Sequence, residues 1–177
     1  FSIRWLGEKL PEFIRSYIAE PQLSPIRELA ELEWAFTLAF DAQDVEALSL
    51  QAISEFSAED WVSFRVSLTP SARWLRLQYN TLALWKAAKS GDLLPVATQP
   101  AGNRDCLVWR HNLVCQYRSL EPEEASALRF FVEGGSFAEL CESLSATHGE
   151  QAPLQAATWL KLWVNEGLLK LRATIHE

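Results

Sequence analysis

CLVWRHNLVCQYRSLEPEEASALRFFVEGGSFAELCESLSATHGEQAPLQAATWLKLWVNEGLLKLR, residues 106–172, reads as two strands, three helices and a returning strand. Leu107 and Trp109 alternate with Val108 and Arg110. On the return strand Leu113, Cys115 and Tyr117 alternate with Val114, Gln116 and Arg118, the period-two pattern of a half-covered hairpin. A two-residue loop at His111 and Asn112 sets Val108 opposite Cys115. Glu121 to Glu124 put acid at a helix start, where free amides favour negative charge. Ala125, Leu128, Phe131 and Val132 then face inward until Gly134 and Gly135 stop the helix, and Ser136 caps FAELCESLSATH.

A strand pair followed by three helices of this size is the outline of a winged helix. The third helix, about Leu154 to Asn165, decides what it holds. Trp159, Trp163, Ala156, Ala157, Leu160, Leu162 and Val164 cover more than half its circumference and leave Lys161, Asn165 and Thr158 as its polar side. One core does not use so wide an apolar arc, so a second body is expected on it. A DNA-reading third helix presents Arg, Lys, Asn and Gln to bases and phosphates. Two tryptophans in an acidic chain fit that role poorly, since phosphate contacts supply most nonspecific affinity. Nucleic acid is therefore an unlikely partner, and a DNA-binding winged-helix regulator is the second reading. The first is an extended peptide that adds as a strand to the exposed edge Leu113 to Ser119, with side chains in a groove beside the third helix. The residues that would bind it are Leu113, Val114, Cys115, Gln116, Tyr117, Arg118, Trp159, Leu160 and Trp163. A structural reading of the same face has the N-terminal domain covering it.

Upstream, DLLPVATQPAGNRD combines two prolines, a glycine and no sustained period, which places a linker at residues 93–105. The expected division is a helical domain at 1–92 and a winged helix at 106–177, an α+β chain that is mainly helical. In the first domain, Trp5, Leu6, Leu10, Phe13, Ile14 and Tyr17 recur at helical spacing around Pro11. Ser24 before Pro25 predicts a capped helix running to about Phe40. Its Glu28 and Glu31 read as a solvated acidic face, while Glu33 sits nearer the apolar side. Ser57 with Asp60 three residues on predicts a second capped helix. Val66 and Leu68, then Arg73, Leu75, Leu77 and Tyr79, predict short strands. Asn80 caps a further helix that ends at Gly91.

The 177 residues are 49% hydrophobic and 22% charged, with no apolar run of bilayer length and no secretory pattern, so no membrane role and a cytoplasmic location are expected. With no methionine and Phe1 at its start, the chain is expected to be a piece of a longer product. Eight tryptophans favour dense cores or partner surfaces. Residues 1–101 hold 9 Lys and Arg against 13 Asp and Glu, and residues 102–177 hold 7 against 10, so neither half reads as a polyanion binder. Cys106 lies diagonal to Cys115 in the expected register, about 7 to 8 Å away and outside disulfide geometry, which points to reduced thiols. His111, His148 and His176 are far apart in sequence, and no HxH, HExxH or CxxC occurs, so no metal site is expected in this chain. His111 reads as a turn residue. No nucleophile and base pair and no phosphate-binding glycine loop is visible, so no catalytic residue is assigned.

The order strand, strand, LEPEEASALRFFVEGGSFAELCESL, then WLKLWVNEGLL resembles the peptide-recognition winged helix of ribosomal-peptide modification systems, whose simplest form is the pyrroloquinoline quinone chaperone type. LAELEWAFTLAFDA and LTPSARWLRLQYNTLALWKAA, followed by LVWR, resemble the partner subunits of multinuclear non-haem iron oxidative enzymes. That group includes the methanobactin biosynthesis partners and a family long labelled DNA-binding. Members of the latter carry a further helical module ahead of this region, missing or removed here, so the choice of branch stays open. The resemblance covers about Gly7 to Leu171 and rests on the order of short apolar motifs. It implies a non-catalytic subunit in a heterodimer with an iron enzyme, with no cofactor of its own and the iron held by the partner. It further implies that residues 1–92 dock on the enzyme and that a cysteine-containing precursor peptide is presented for oxidative rearrangement, for example to oxazolone and thioamide.

Overall fold

The computed structural model describes residues 4–20, 22–102 and 104–172, with residues 4–6 as backbone only. Along the chain the elements are α1 (Arg4–Ile14), α2 (Leu23–Phe40), α3 (Leu50–Ser54), α4 (Ala58–Ser63), β1 (Val66–Leu68), β2 (Arg73–Leu77) and α5 (Thr81–Ser90). There follow β3 (Arg104–His111), β4 (Val114–Ser119), α6 (Pro122–Val132), α7 (Phe137–His148), a 3-10 turn (Gly149–Gln151), α8 (Ala152–Asn165) and β5 (Leu169–Leu171). The chain is α+β, with two small antiparallel sheets among many helices. It divides into two compact units, Phe1–Asp41 with Arg73–Leu120, and Ala42–Ala72 with Glu121–Glu177.

The first unit is built on the sheet β2-β3-β4. Cys106, Leu107, Val108 and Trp109 of the central strand β3 are all buried. Its Cys106 and Val108 face joins Leu32, Ala35 and Ala39 of α2 and Leu77 of β2 in one core, with Phe36, Leu75, Leu82, Trp85, Cys115 and Tyr117 packed around it. On the opposite pleat the Trp74 indole N–H donates to Asp105 at 2.6 Å. α1 packs on α2 closely enough that a side chain at Gly7 would meet the Trp34 ring at 2.5 Å.

Three local expectations are revised in this unit. α2 begins at Leu23, so Ser24 lies inside the helix and its hydroxyl donates to Glu20. α5 starts after Asn80 and ends at a left-handed Gly91 as expected, yet Asn80 makes no capping bond to it. The Asn80 side chain instead ties down the segment after α5, donating to the Val96 carbonyl and accepting from the Thr98 amide, both at 2.9 Å. Glu28 is buried instead of solvated and holds the residues on either side of Asn80. Its carboxylate accepts from the Gln78 amide, the Tyr79 amide at 3.0 Å and the Thr81 hydroxyl. Glu31 pairs with Arg27 at 3.3 Å on the surface.

In the second unit β1 pairs with β5, Val66 opposite Leu171 and Leu68 opposite Leu169. The Leu48 amide adds a bond to the Leu169 carbonyl, and Arg172 one to Arg65. α4 carries the expected Ser57 and Asp60 capping box, and α7 a matching box from Ser136 and Glu139. A chain of rings runs through the interior: Phe64 to Phe131 at 5.5 Å, Phe131 to Trp163 at 6.2 Å, and Trp163 to Trp159 at 6.3 Å.

This division differs from the contiguous one expected at residues 93–105. The first unit runs on through that boundary, and Arg104 and Asp105 already belong to β3, because Arg73–Leu77 pair with Arg104–Val108 and bind the hairpin to the N-terminal helices. The three C-terminal helices group instead with β1 and β5.

Candidate functional site

β4 is an outer strand of the three-stranded sheet, so the edge expected from the sequence is present. Its turn lies one residue later than expected, which moves the pairing by two residues, so that Val108 faces Tyr117 instead of Cys115. His111 pairs with Val114 and Arg110 with Cys115, leaving Asn112 and Leu113 as the loop, both at positive φ (50° and 65°). That is the conformation of the tight hairpin turn whose twist matches its strands. Leucine is a poor residue for it, which is why the sequence pointed one position earlier. Cys106 now pairs with Ser119, further from Cys115 than a diagonal neighbour, and all three cysteines are free.

The register also fixes which backbone groups look outward. The pair closing a two-residue loop is hydrogen-bonded, so His111 with Val114, Trp109 with Gln116 and Leu107 with Arg118 exchange bonds across β3 and β4. Cys115, Tyr117 and Ser119 therefore turn their amides and carbonyls away from β3, toward any added strand. Their side chains lie on the pleat that faces α2 and α5. Tyr117 is edge-on to Trp85 at 5.0 Å and to Phe36 at 5.6 Å, and the Lys86 ammonium sits 5.5 Å over its ring. The Cys115 sulfur lies 3.8 Å from the Phe36 carbonyl. At the hairpin tip Leu113 and Val114 are exposed, Leu113 by 79%.

Two hollows open on this unit. One, of about 370 Å³, lies at the Ser119 end of β4 beside α5 and includes Lys86 and Arg104. The other, of about 610 Å³, is apolar, with Ile26 and Leu29 of α2 on one side and Leu94 and Val96 on the other. Leu93, Leu94 and Val96 are all exposed.

Trp159, Leu160 and Trp163 belong to the second unit, so the structure distributes the nine expected residues over two units. Leu160 and Trp163 are core side chains, Trp163 fully buried with its indole N–H donating to the buried Glu124 at 3.0 Å. Trp159 is half-buried and edge-on to His148 at 6.3 Å. The wide apolar arc of α8 is thus consumed largely within its own unit. Leu154 and Leu162 are the large apolar side chains it leaves exposed.

The units also differ in charge. The first holds eleven Lys and Arg against nine Asp and Glu, the second five against fourteen. Residues 73–120 alone hold seven against two. Each half of the chain on either side of residue 101 contains both populations, so the basic stretch, which includes Lys86 and Arg104, does not show in the charge of the halves.

Burial pushes the Cys106 thiol up to about 12 and also raises Cys115 and Cys141, so none is a ready thiolate. Among the described residues no group of three or more His, Cys, Asp or Glu could hold a metal ion, and no helix is long and apolar enough to cross a membrane. His111 closes the β3–β4 turn and His148 bonds Glu123 at 2.9 Å, while His176 lies outside the described residues. No protein-family model, curated protein or solved structure matches the chain.

Proposed function

We propose that this chain is a non-catalytic partner subunit. It holds an extended precursor (leader) peptide as an added strand on β4 and presents the peptide's cysteines to a multinuclear non-haem iron enzyme in a heterodimer. The product is of the oxazolone and thioamide kind, as in methanobactin-type biosynthesis. The observation that carries the reading is the outer strand β4, whose Cys115, Tyr117 and Ser119 direct their backbone groups outward beside an aromatic face. Strand addition takes its affinity from such main-chain bonds and its selectivity from side-chain pockets alongside. The order of motifs in the sequence supports the choice of partner, and iron is assigned to that partner.

The peptide-recognition winged helix enters with a change of detail. Helices α6, α7 and α8 followed by β5 keep its order, while the strand that receives the peptide sits with α2 and α5. The enzyme docks on the first unit, where Leu93, Leu94 and Val96 present apolar surface beside the 610 Å³ hollow. A DNA-reading α8 would belong to the unit with fourteen acidic against five basic residues, an adverse field for a polyanion.

The test is titration of a fluorescently labelled precursor leader into the complex of this chain with its iron enzyme. Proline is tolerated in an edge strand where its missing amide would have faced outward. Cys115→Pro should therefore leave the sheet folded and weaken leader binding at least about tenfold, the scale of one or two lost bonds. Unchanged affinity in folded Cys115→Pro removes β4 as the docking strand. Steeply salt-dependent binding of duplex DNA, with no binding of the leader, replaces the reading by a DNA-binding regulator.

A further inference from the structure

We propose that the hollow at the Ser119 end of β4 is a carboxylate subsite, in which Lys86 and Arg104 hold an aspartate or glutamate of the peptide strand paired with Cys115 to Ser119. This deepens the strand-addition reading and rests on it. The hollow of about 370 Å³ is formed wholly within the first unit, by α5, the ends of β2, β3 and β4, and Pro100. Leu77 and Leu82 supply apolar wall for the methylenes of an acidic side chain, and the Ser119 hydroxyl lies at the same mouth.

Two cations reach this hollow and no carboxylate lines it. Three other basic side chains of the unit have acidic partners: Arg27 with Glu31, Arg76 with Asp105 at 3.9 Å, and Lys89 with Glu33 at 4.0 Å. Among the described residues neither Lys86 nor Arg104 is in an ion pair. The Lys86 head is drawn over the Tyr117 ring, which points it along β4. Arg104 opens β3 beside Leu77, its partner in the register, two residues along β3 from Cys106, which pairs with Ser119.

The same strand residues that offer outward backbone bonds therefore lead to the hollow: Cys115, then Tyr117, then Ser119 at its mouth. A peptide following β4 brings a side chain to two uncompensated cations at that end. Residues 73–120, with seven Lys and Arg against two Asp and Glu, would draw an acidic segment to this strand, while the second unit repels it.

Two measurements test this. In the first, the ¹⁵N-labelled chain is titrated with N-acetylglutamate amide and, separately, with N-acetylglutamine amide, reading the Arg104 Nε and the Ser119 amide. Saturable shifts from the acid alone, abolished in Lys86→Gln/Arg104→Gln, are expected; equal responses to the two probes, or none, overturn the subsite. In the second, the labelled leader is titrated into the complex containing the double variant. Binding should weaken about tenfold, as two partly exposed ion pairs allow. A leader with the matching acid replaced by its amide should bind wild type as weakly and lose nothing further in the variant. Unchanged affinity in the double variant, with Cys115→Pro still impaired, removes the subsite and leaves strand addition standing. Leader binding that ignores both substitutions removes both.

Discussion

The carboxylate of Glu28, on α2, accepts a hydrogen bond from the hydroxyl of Thr81, the first residue of α5 and fifty-three positions along the chain. Both residues are buried, and the same carboxylate takes the amides of Gln78 and Tyr79. One side chain thus satisfies donors at the end of β2 and fixes where α5 begins. The helix that carries Trp85 and Lys86 alongside β4 is positioned by it.

Glu28→Ala leaves one buried and two part-buried donors unpaired and should cost about 3 kcal/mol, since each unsatisfied buried group costs roughly 1–3 kcal/mol. Thr81→Ala removes a single donor and should cost about 1 kcal/mol. Urea unfolding of the two variants checks the order. Equal losses would mean that the backbone amides do not depend on the carboxylate.

Trp163 and Glu124 form a second buried pair, indole N–H to carboxylate at 3.0 Å. Trp163→Phe keeps a ring near Phe131 but withdraws a donor from a buried acid, for about 1.5–3 kcal/mol. Trp163→Ala opens a cavity as well and should cost about 3–5 kcal/mol. Near-ultraviolet circular dichroism and urea midpoints should fall in that order. The Ala variant therefore reports on folding before it reports on any ligand, whereas Cys115→Pro reports on the strand edge.

What could be read from the sequence was what is local. Ser57 with Asp60, Ser136 and Gly91 mark helix ends within four residues of the groups they serve, and each stands where it was expected. Glu28 was read as solvated because its partners lie some fifty residues away, beyond any helical period. The pairing of Val66 with Leu171 spans more than a hundred residues, and with it the division into units was out of reach. The edge strand was legible as alternation, while its register depended on a leucine in a conformation that leucine seldom takes. On α8, periodicity counts apolar positions without saying what covers them. Trp163 is covered by Phe131 and Glu124 of α6.

The capping boxes set an acid response. Asp60 lies below its ordinary 3.8 and Glu139 below 4.5, each because the backbone amide and then the hydroxyl of its serine donate to it. Glu123 lies below 4.5 through the Thr147 hydroxyl first and then His148. A carboxylate whose folded value is depressed contributes stability that is fully present above the unfolded value and lost as pH falls through the folded one. The second unit should hold steady near neutrality, begin to weaken as pH approaches 4.5 to 3.8, and lose these contributions only below the depressed values. Following the Ser57 and Ser136 amide resonances through an acid titration checks this. Midpoints at or above 4.5 would contradict the capping geometry.

The hairpin tip carries the last prediction. Leu113 sits at φ 65° with its side chain 79% exposed, so it gains little packing in return for a conformation that costs an L-residue about 1–2 kcal/mol. Leu113→Gly restores the Asn-Gly pair favoured in this turn. Net of the glycine's greater freedom when unfolded, it should stabilise the chain by about 0.5–1 kcal/mol. In the strand addition proposed above, a strained apolar side chain at the head of β4 would cover the incoming strand, so leader affinity should fall as stability rises. Urea unfolding and leader titration on the same variant separate the two effects. A stabilised variant with undiminished affinity would confine Leu113 to the turn and shorten the peptide site to Val114 through Ser119.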